Sequence, residues 1–254
     1  MMNQNMQTNP YGLFLLDPMD YHKVAPWFDA IDGAAIRLDS VAKAGGGRLW
    51  VDDAIIPTAA LLEADDGFCY LAGPAESESF AAAAVSHLLR ESLPNRPAGD
   101  RQAIVFSASA RWKAAVDAQL APHGGFMIRR HTFAFDGAAF HRVQAALPAL
   151  PEGYTLCDSG FLGAAVLFGG SEAARCCAVF AGAGQAEMDV FTDEAHRRKG
   201  LALHAGIRAI GRCLEAGFAP HWSCWDYNTP SVGLALRLGF RQLPDLEVSF
   251  CDLG

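Results

Sequence analysis

The sequence predicts an α/β (α+β) protein in two parts: a C-terminal mixed sheet flanked by helices, and before it a second, N-terminal α/β domain. Three observations predict this. Strand-like and helix-like patterns alternate along both parts. A stretch at residues 145–152, broken by Pro148 and Pro151, separates them. And 51% of the 254 residues are hydrophobic, so a large core is available.

The N-terminal part spans residues 11–146, after a tail at residues 1–10 expected to be disordered. Val24, Trp27, Phe28 and Ile31 fall at helical spacing and predict a helix over 21–31. Residues 47–53 form a strand after the glycine run 45–47. Residues 59–63 and 67–72 pair as a hairpin across Asp65, Asp66 and Gly67, where Asp-Gly favours a tight turn. A helix over 78–92 is stopped by Pro94. A strand over 102–107, a helix over 110–120 and a strand over 125–135 complete the part. Trp27, Phe28, Trp50 and Trp112 are expected in its core, and no catalytic constellation is visible in it.

The C-terminal part, 147–254, opens with short apolar strands at 154–157, 164–168 and 175–181, parted by glycine-bearing turns. A strand at 186–192 leads into a helix over about 198–216, whose Leu203, Ile207, Ile210 and Leu214 step 4, 3, 4 along one face. Gly217 ends it. A strand at 221–225 follows. Asn228 is a natural N-cap, with Pro230 early in a helix that runs to Leu238 and stops at Gly239. Residues 246–250 close the chain as a strand. No internal repeat is apparent.

The formal net charge of −8 argues against nucleic acid, which calls for a basic face. Seven cysteines, an odd number with no C-x-x-C pair, fit reduced thiols better than a disulfide framework or a metal site. No secretory signal is visible in the polar N-terminal stretch and none is expected, and no stretch approaches a membrane span. A cytoplasmic protein is expected.

Residues 186–202, AEMDVFTDEAHRRKGLA, organise the function. Met188, Val190 and Thr192 alternate with Glu187, Asp189 and Phe191 as in a strand, and a charged turn then enters a helix through Arg197, Arg198, Lys199, Gly200, Leu201 and Ala202. The unpaired N–H groups of a first helical turn and the positive end of its dipole favour an anion. Gly200 and Ala202 let the backbone come close to one. A phosphate site is expected there.

With these residues in view, the second half resembles the GNAT superfamily of N-acetyltransferases. Arg197, Gly200 and Ala202 match its Q/R-x-x-G-x-G/A loop, and Asn228-x-x-Ser231 followed by Leu238-Gly239-Phe240 resembles its second motif. More narrowly, the chain is similar to the subfamily with a degenerate N-terminal α/β half. The resemblance implies acetyl-CoA as acyl donor and a small-molecule or peptide amine as acceptor. It places the donor's diphosphate on the N–H groups from about Arg198 to Ala202, with Arg197, Arg198 and Lys199 adding charge. It implies that the 186–192 strand diverges from the 221–225 strand, so that the pantetheine arm pairs with backbone near Val190 and Thr192, and that Asn228 and Ser231 face the cofactor.

Acetyl transfer to an amine calls for a proton acceptor, stabilisation of the thioester oxygen and, on departure, a proton for the thiolate. Glu187 and Asp189 share one strand face and are the candidate bases; like charges this close favour proton uptake by one of them. A backbone N–H of Val190 or Phe191 is the candidate oxyanion donor. Many family members carry a tyrosine where this chain has Ala235, and Tyr227 is expected at the strand–helix turn instead. Only a short stretch separates Cys157 from the next strand, so the helices that often wall the acceptor pocket are missing or very short. These departures keep open a non-catalytic acyl-CoA-binding or regulatory module. A serine hydrolase is poorly matched by Gly169-Gly170-Ser171-Glu172-Ala173, and a dinucleotide site by Gly182-Ala183-Gly184.

Overall fold

The computed structural model describes residues 8–254; residues 1–7 of the expected tail lie outside the described residues. Residues 8–10 are tied down: Asn9 Oδ1 accepts from the N–H groups of Tyr11 and Leu13, each at 3.0 Å, and Thr8 bridges Phe14. The chain divides into two compact units. The first runs to Arg129 and includes Glu247–Gly254; the second is Arg130–Leu246.

In the first unit the sheet order is β1 (Phe14–Leu15), β2 (Gly47–Val51), β3 (Ala60–Ala64), β4 (Phe68–Ala72), β5 (Gln102–Ser107) and β13 (Leu246–Asp252). All pairs are antiparallel except β4 and β5, which α3 (Glu78–His87) connects. The expected hairpin pairs Ala60 with Ala72 and Glu63 with Cys69. The helix expected over 21–31 is instead a 3₁₀ turn, Pro18–Lys23, and a short α1, Ala25–Phe28, with Pro26 in its first turn. Gly33, left-handed at φ 76°, then starts α2 (Ala34–Ala44), which no pattern had indicated. Val24, Phe28 and Ile31 are buried as expected, while Trp27 is only half-buried. Beyond His87 the expected helix widens to a π-type turn over Leu88–Ser92 and a 3₁₀ turn over Leu93–Asn95. Helix α4 (Ala110–Leu120) packs Trp112, Val116 and Leu120 into a core with Leu61, Leu71, Phe80, Leu88 and Val105.

The π turn brings Ser92 back to a polar cluster inside this unit. Glu63, 3% exposed, receives Trp50 Nε1 (3.1 Å), His87 Nε2 (3.1 Å) and the Ser92 hydroxyl, with Arg96 Nη2 at 3.7 Å. Burial alone would push the Glu63 carboxyl up. The hydrogen bonds from His87, Ser92 and Trp50 and the His87 charge outweigh it and hold it at about 2.

In the second unit the order is β6 (Phe126–Phe135, from Arg130 on), β11 (Ala219–Trp225), β10 (Gln185–Thr192), β9 (Ser171–Gly182), β8 (Ala164–Phe168) and β7 (Tyr154–Asp158), with β12 (Phe240–Gln242) also on β6. Here too one pair is parallel, β10 with β11, and a helix, α6 (Leu201–Glu215), connects it. The two units therefore repeat a strand–helix–strand crossover that the sequence did not reveal as a repeat. The division falls before the proline stretch at 145–152, because α5 (Gly137–Ala145) sinks Phe140 into the second core, beside Phe133, Leu234 and Phe240. The last strand, β13, belongs with β5 instead of with the unit that precedes it in sequence. Among the described residues no helix is long and apolar enough to cross a membrane.

Candidate active site

Strands β10 and β11 pair only at their starts, Gln185 with Ala219, Ala186 with Pro220 and Glu187 with His221. From Trp222 to Trp225, β11 turns to β6, while β10 stays paired with β9 through Thr192. The two strands thus splay after Glu187. The backbone edge of β10 from Met188 to Thr192 is left without a strand partner on the β11 side. A β-bulge lies beside the splay, with Val179 as its extra residue in β9, so the alternation of β10 itself is kept.

Beyond Thr192 the chain makes a 3₁₀ turn, Glu194–His196, and enters α6 through a loop in which Arg198 (φ 63°) and Gly200 (φ 78°) are left-handed. That geometry delays the helix start to Leu201, against the expected 198. No side chain caps α6, so the donors of its first turn keep no side-chain acceptor. A Cβ built on Gly200 meets nothing within 4 Å. Helix α7 (Thr229–Arg237) is capped as expected, by Asn228 Oδ1 on the Ser231 N–H at 3.3 Å.

These pieces enclose a cleft of about 720 Å³, inside the range of small-ligand sites. Val190, Phe191, Thr192, Arg197, Arg198, Gly200, Leu201, Ala202, Asn228 and Ser231, all expected cofactor contacts, line it. Lys199 does not: its Nζ donates to Tyr154 Oη (2.9 Å) and to the Ala195 carbonyl (3.3 Å). Lining residues that the pattern gave no reason to single out are His196, Gly233, Leu234 and Arg237. Among the described residues Arg198 and Arg237 make no ion pair, so the cleft carries uncommitted positive charge.

Glu187 and Asp189 share a face of β10, as expected, but neither lines the cleft. Glu187 is buried, with Arg130 Nη2 3.7 Å from its Oε1; Asp189 is exposed. Arg130 also donates from Nε to Ser223 Oγ at 3.0 Å and lies 4.7 Å over the Trp225 ring. Ala235 is fully buried and Tyr227 is 75% exposed, so no tyrosine is among the cleft's lining residues.

A splayed parallel pair feeding an uncapped helix start behind a basic loop turns strand-edge groups and N–H donors toward one cleft. The first unit keeps the crossover without the site. Ser77 caps α3 there through the Phe80 N–H, and Glu76 stands in a turn that lacks the cations of the second. The chain belongs to the GNAT acetyltransferase family, whose model matches it twice, over residues 27–160 and 157–248. Acyltransferases are the enzyme class of that family.

Among known proteins it is similar to an uncharacterised N-acetyltransferase, YdfB, of Bacillus subtilis (strain 168), 24% identical in an alignment that covers 80% of this chain and 85% of that protein. The fold is shared with a GCN5-related N-acetyltransferase-like protein from Streptococcus suis 89/1591, at a TM-score of 0.65 and 18% identity over 92% of this chain and 98% of that one. It is shared also with a tandem GNAT protein from the clavulanic acid biosynthesis pathway, at 0.58 and 14% over 94% and 98%.

Proposed function

We propose that the chain is a cytoplasmic N-acetyltransferase that moves an acetyl group from acetyl-CoA to the amine of a small molecule or peptide. The observation that carries this reading is the cleft. It brings the free edge of β10, the uncapped start of α6 and the cations Arg197, Arg198 and Arg237 together on one surface.

The residues fit the donor. A diphosphate finds the N–H groups from Arg198 to Ala202, and the open space beside Gly200 admits it to the backbone. Lys199, held on Tyr154, contributes charge from outside the cleft. Val190, Phe191 and Thr192 offer strand-edge groups to the amides of a pantetheine arm, with Asn228 and Ser231 facing them from α7. Acetyl-CoA supplies an activated thioester. The chain supplies a backbone N–H of Val190 or Phe191 for the developing oxyanion, and Glu187 or Asp189 as acceptor of the amine proton, directly or through a water.

Calorimetric titration with acetyl-CoA, followed by a panel of amines, tests the reading. Native binding that is lost in Gly200→Trp, with acetylation of at least one amine, supports it. No binding by the native chain sinks it. Binding without turnover of any amine favours the second reading, a non-catalytic acyl-CoA-binding or regulatory module. The absence of tyrosine from the cleft lining is what keeps that reading open.

A further inference from the structure

Beside the phosphate loop stands a hydrogen-bonded chain of three side chains. Lys199 Nζ donates to Tyr154 Oη at 2.9 Å, and Tyr154 Oη lies 2.8 Å from His196 Nδ1. Two of the three lie outside the cleft; His196 lines it. The chain has a direction. An ammonium group has only donors, so the phenol oxygen accepts from Lys199 and keeps its own hydrogen, which can point to His196. With that hydrogen directed to Nδ1, the ring carries its N–H on Nε2. Packing fixes the ring as well. Tyr154 meets it edge-on with centroids 5.6 Å apart, Phe168 lies at 5.2 Å, and Lys199 sits 5.6 Å from the Tyr154 ring centre. Strand β7 supplies Tyr154, and the register Tyr154 opposite Phe168 sets both rings beside the loop.

We propose that His196 is a specificity-determining residue of the donor site, offering Nε2–H to a phosphate oxygen of CoA, with Tyr154 and Lys199 as the positioning residues that set its tautomer. This rests on the reading of the cleft as a CoA site. The three arginines of the cleft are exposed side chains whose donor forks can swing, whereas a packed ring engaged through Nδ1 by Tyr154 supplies one donor at a fixed place.

The test is calorimetric titration of the native chain, His196→Ala, His196→Gln and Tyr154→Phe with three probes: CoA, 3′-dephospho-CoA and pantetheine. His196→Ala is expected to weaken CoA about tenfold and leave pantetheine, which has no phosphate, unchanged. His196→Gln keeps an N–H near the Nε2 position and is expected to recover most of the loss. Tyr154→Phe is expected to cost about threefold, again on CoA alone. A loss that persists with 3′-dephospho-CoA assigns the bond to the diphosphate; a loss that vanishes with it assigns the bond to the 3′-phosphate.

Equal CoA affinity in His196→Ala overturns the proposal, and so does an equal loss for CoA and pantetheine, which marks a merely structural role. Should His196→Ala fail to give a native melting curve, Tyr154→Phe decides by the same two criteria. Failure of the native chain to bind CoA overturns the cleft reading itself, and this inference with it.

Discussion

Arg130 holds Glu187. Its Nη2 lies 3.7 Å from the Glu187 carboxylate while its Nε is fixed on Ser223 Oγ, so an arginine of β6 reaches a glutamate of β10 past the strand between them. Both partners are buried, so removing either one disturbs a desolvated ion pair. The neighbouring carboxylate, Asp189, has no such clamp among the described residues and is exposed.

This asymmetry separates the two candidate bases. Glu187→Gln and Asp189→Asn are each to be measured for turnover of an accepted amine and for acetyl-CoA affinity. The variant of the base is expected to lose about a hundredfold in turnover with donor affinity nearly intact. Unchanged turnover in both removes carboxylate catalysis from the site.

Much of the second unit was legible because its signals are local. The alternation at 186–192 and Asn228 before Pro230 each act within a few residues and stand as read, whereas the basic stretch Arg197–Lys199 falls in the loop before α6 instead of in its first turn. What could not be read depends on partners far along the chain. Arg130 lies 57 positions before Glu187 in the numbering, and Tyr154 reaches His196 across a sequence separation of 42. The extra turns at Gly33 and Leu88–Ser92 hinge on backbone conformations that periodicity does not report. The pairing of β13 with β5 hides the unit boundary for the same reason: strand partnership is a tertiary property.

Ser231 has a structural duty besides its place in the cleft. Its hydroxyl accepts the indole N–H of Trp222 at 3.1 Å, and Trp222 is 1% exposed. Ser231→Ala leaves that donor buried without its partner, so thermal or denaturant unfolding is expected to report a loss of about 1–3 kcal/mol. A loss near zero would mean that the indole finds another acceptor.

Glu63 predicts how the first unit responds to acid. Its folded value of about 2 lies below the usual 4.5, so the folded state binds the proton more weakly than the unfolded chain does. The stabilisation is therefore complete above pH 4.5, falls as the pH drops, and is gone once the pH passes below about 2. A depression of this size corresponds to about 3 kcal/mol. Glu63→Gln is expected to be less stable than the native chain by about that amount at pH 7, and the difference should close between pH 4.5 and 2. Parallel stability curves for the two proteins across that window would show that the cluster carries no such linkage.

Gly239, the glycine of the Leu-Gly-Phe ending, is the docking point of α5. Its φ is 92°, and an added Cβ would stand 2.5 Å from the Phe140 nitrogen and 2.8 Å from the Phe140 Cα. These are backbone atoms of α5, which cannot swing aside as a side chain would. The Gly239 carbonyl accepts the Asp136 N–H at 3.0 Å, and Asp136 caps that helix through the Ala139 N–H at 2.9 Å. Moving the backbone to admit a methyl would disturb the cap and lift the buried Phe140 ring from the core. Left-handed strain and overpacking together put Gly239→Ala at about 2–4 kcal/mol of destabilisation. Gly211→Ala is the matched control. It lies inside α6, an added Cβ there meets nothing within 4 Å, and a gain of about 0.5–1 kcal/mol is expected from helix propensity. Chemical denaturation of the two variants measures both signs, and a Gly239→Ala protein as stable as the native chain would show that α5 is free to shift away from the Leu-Gly-Phe turn.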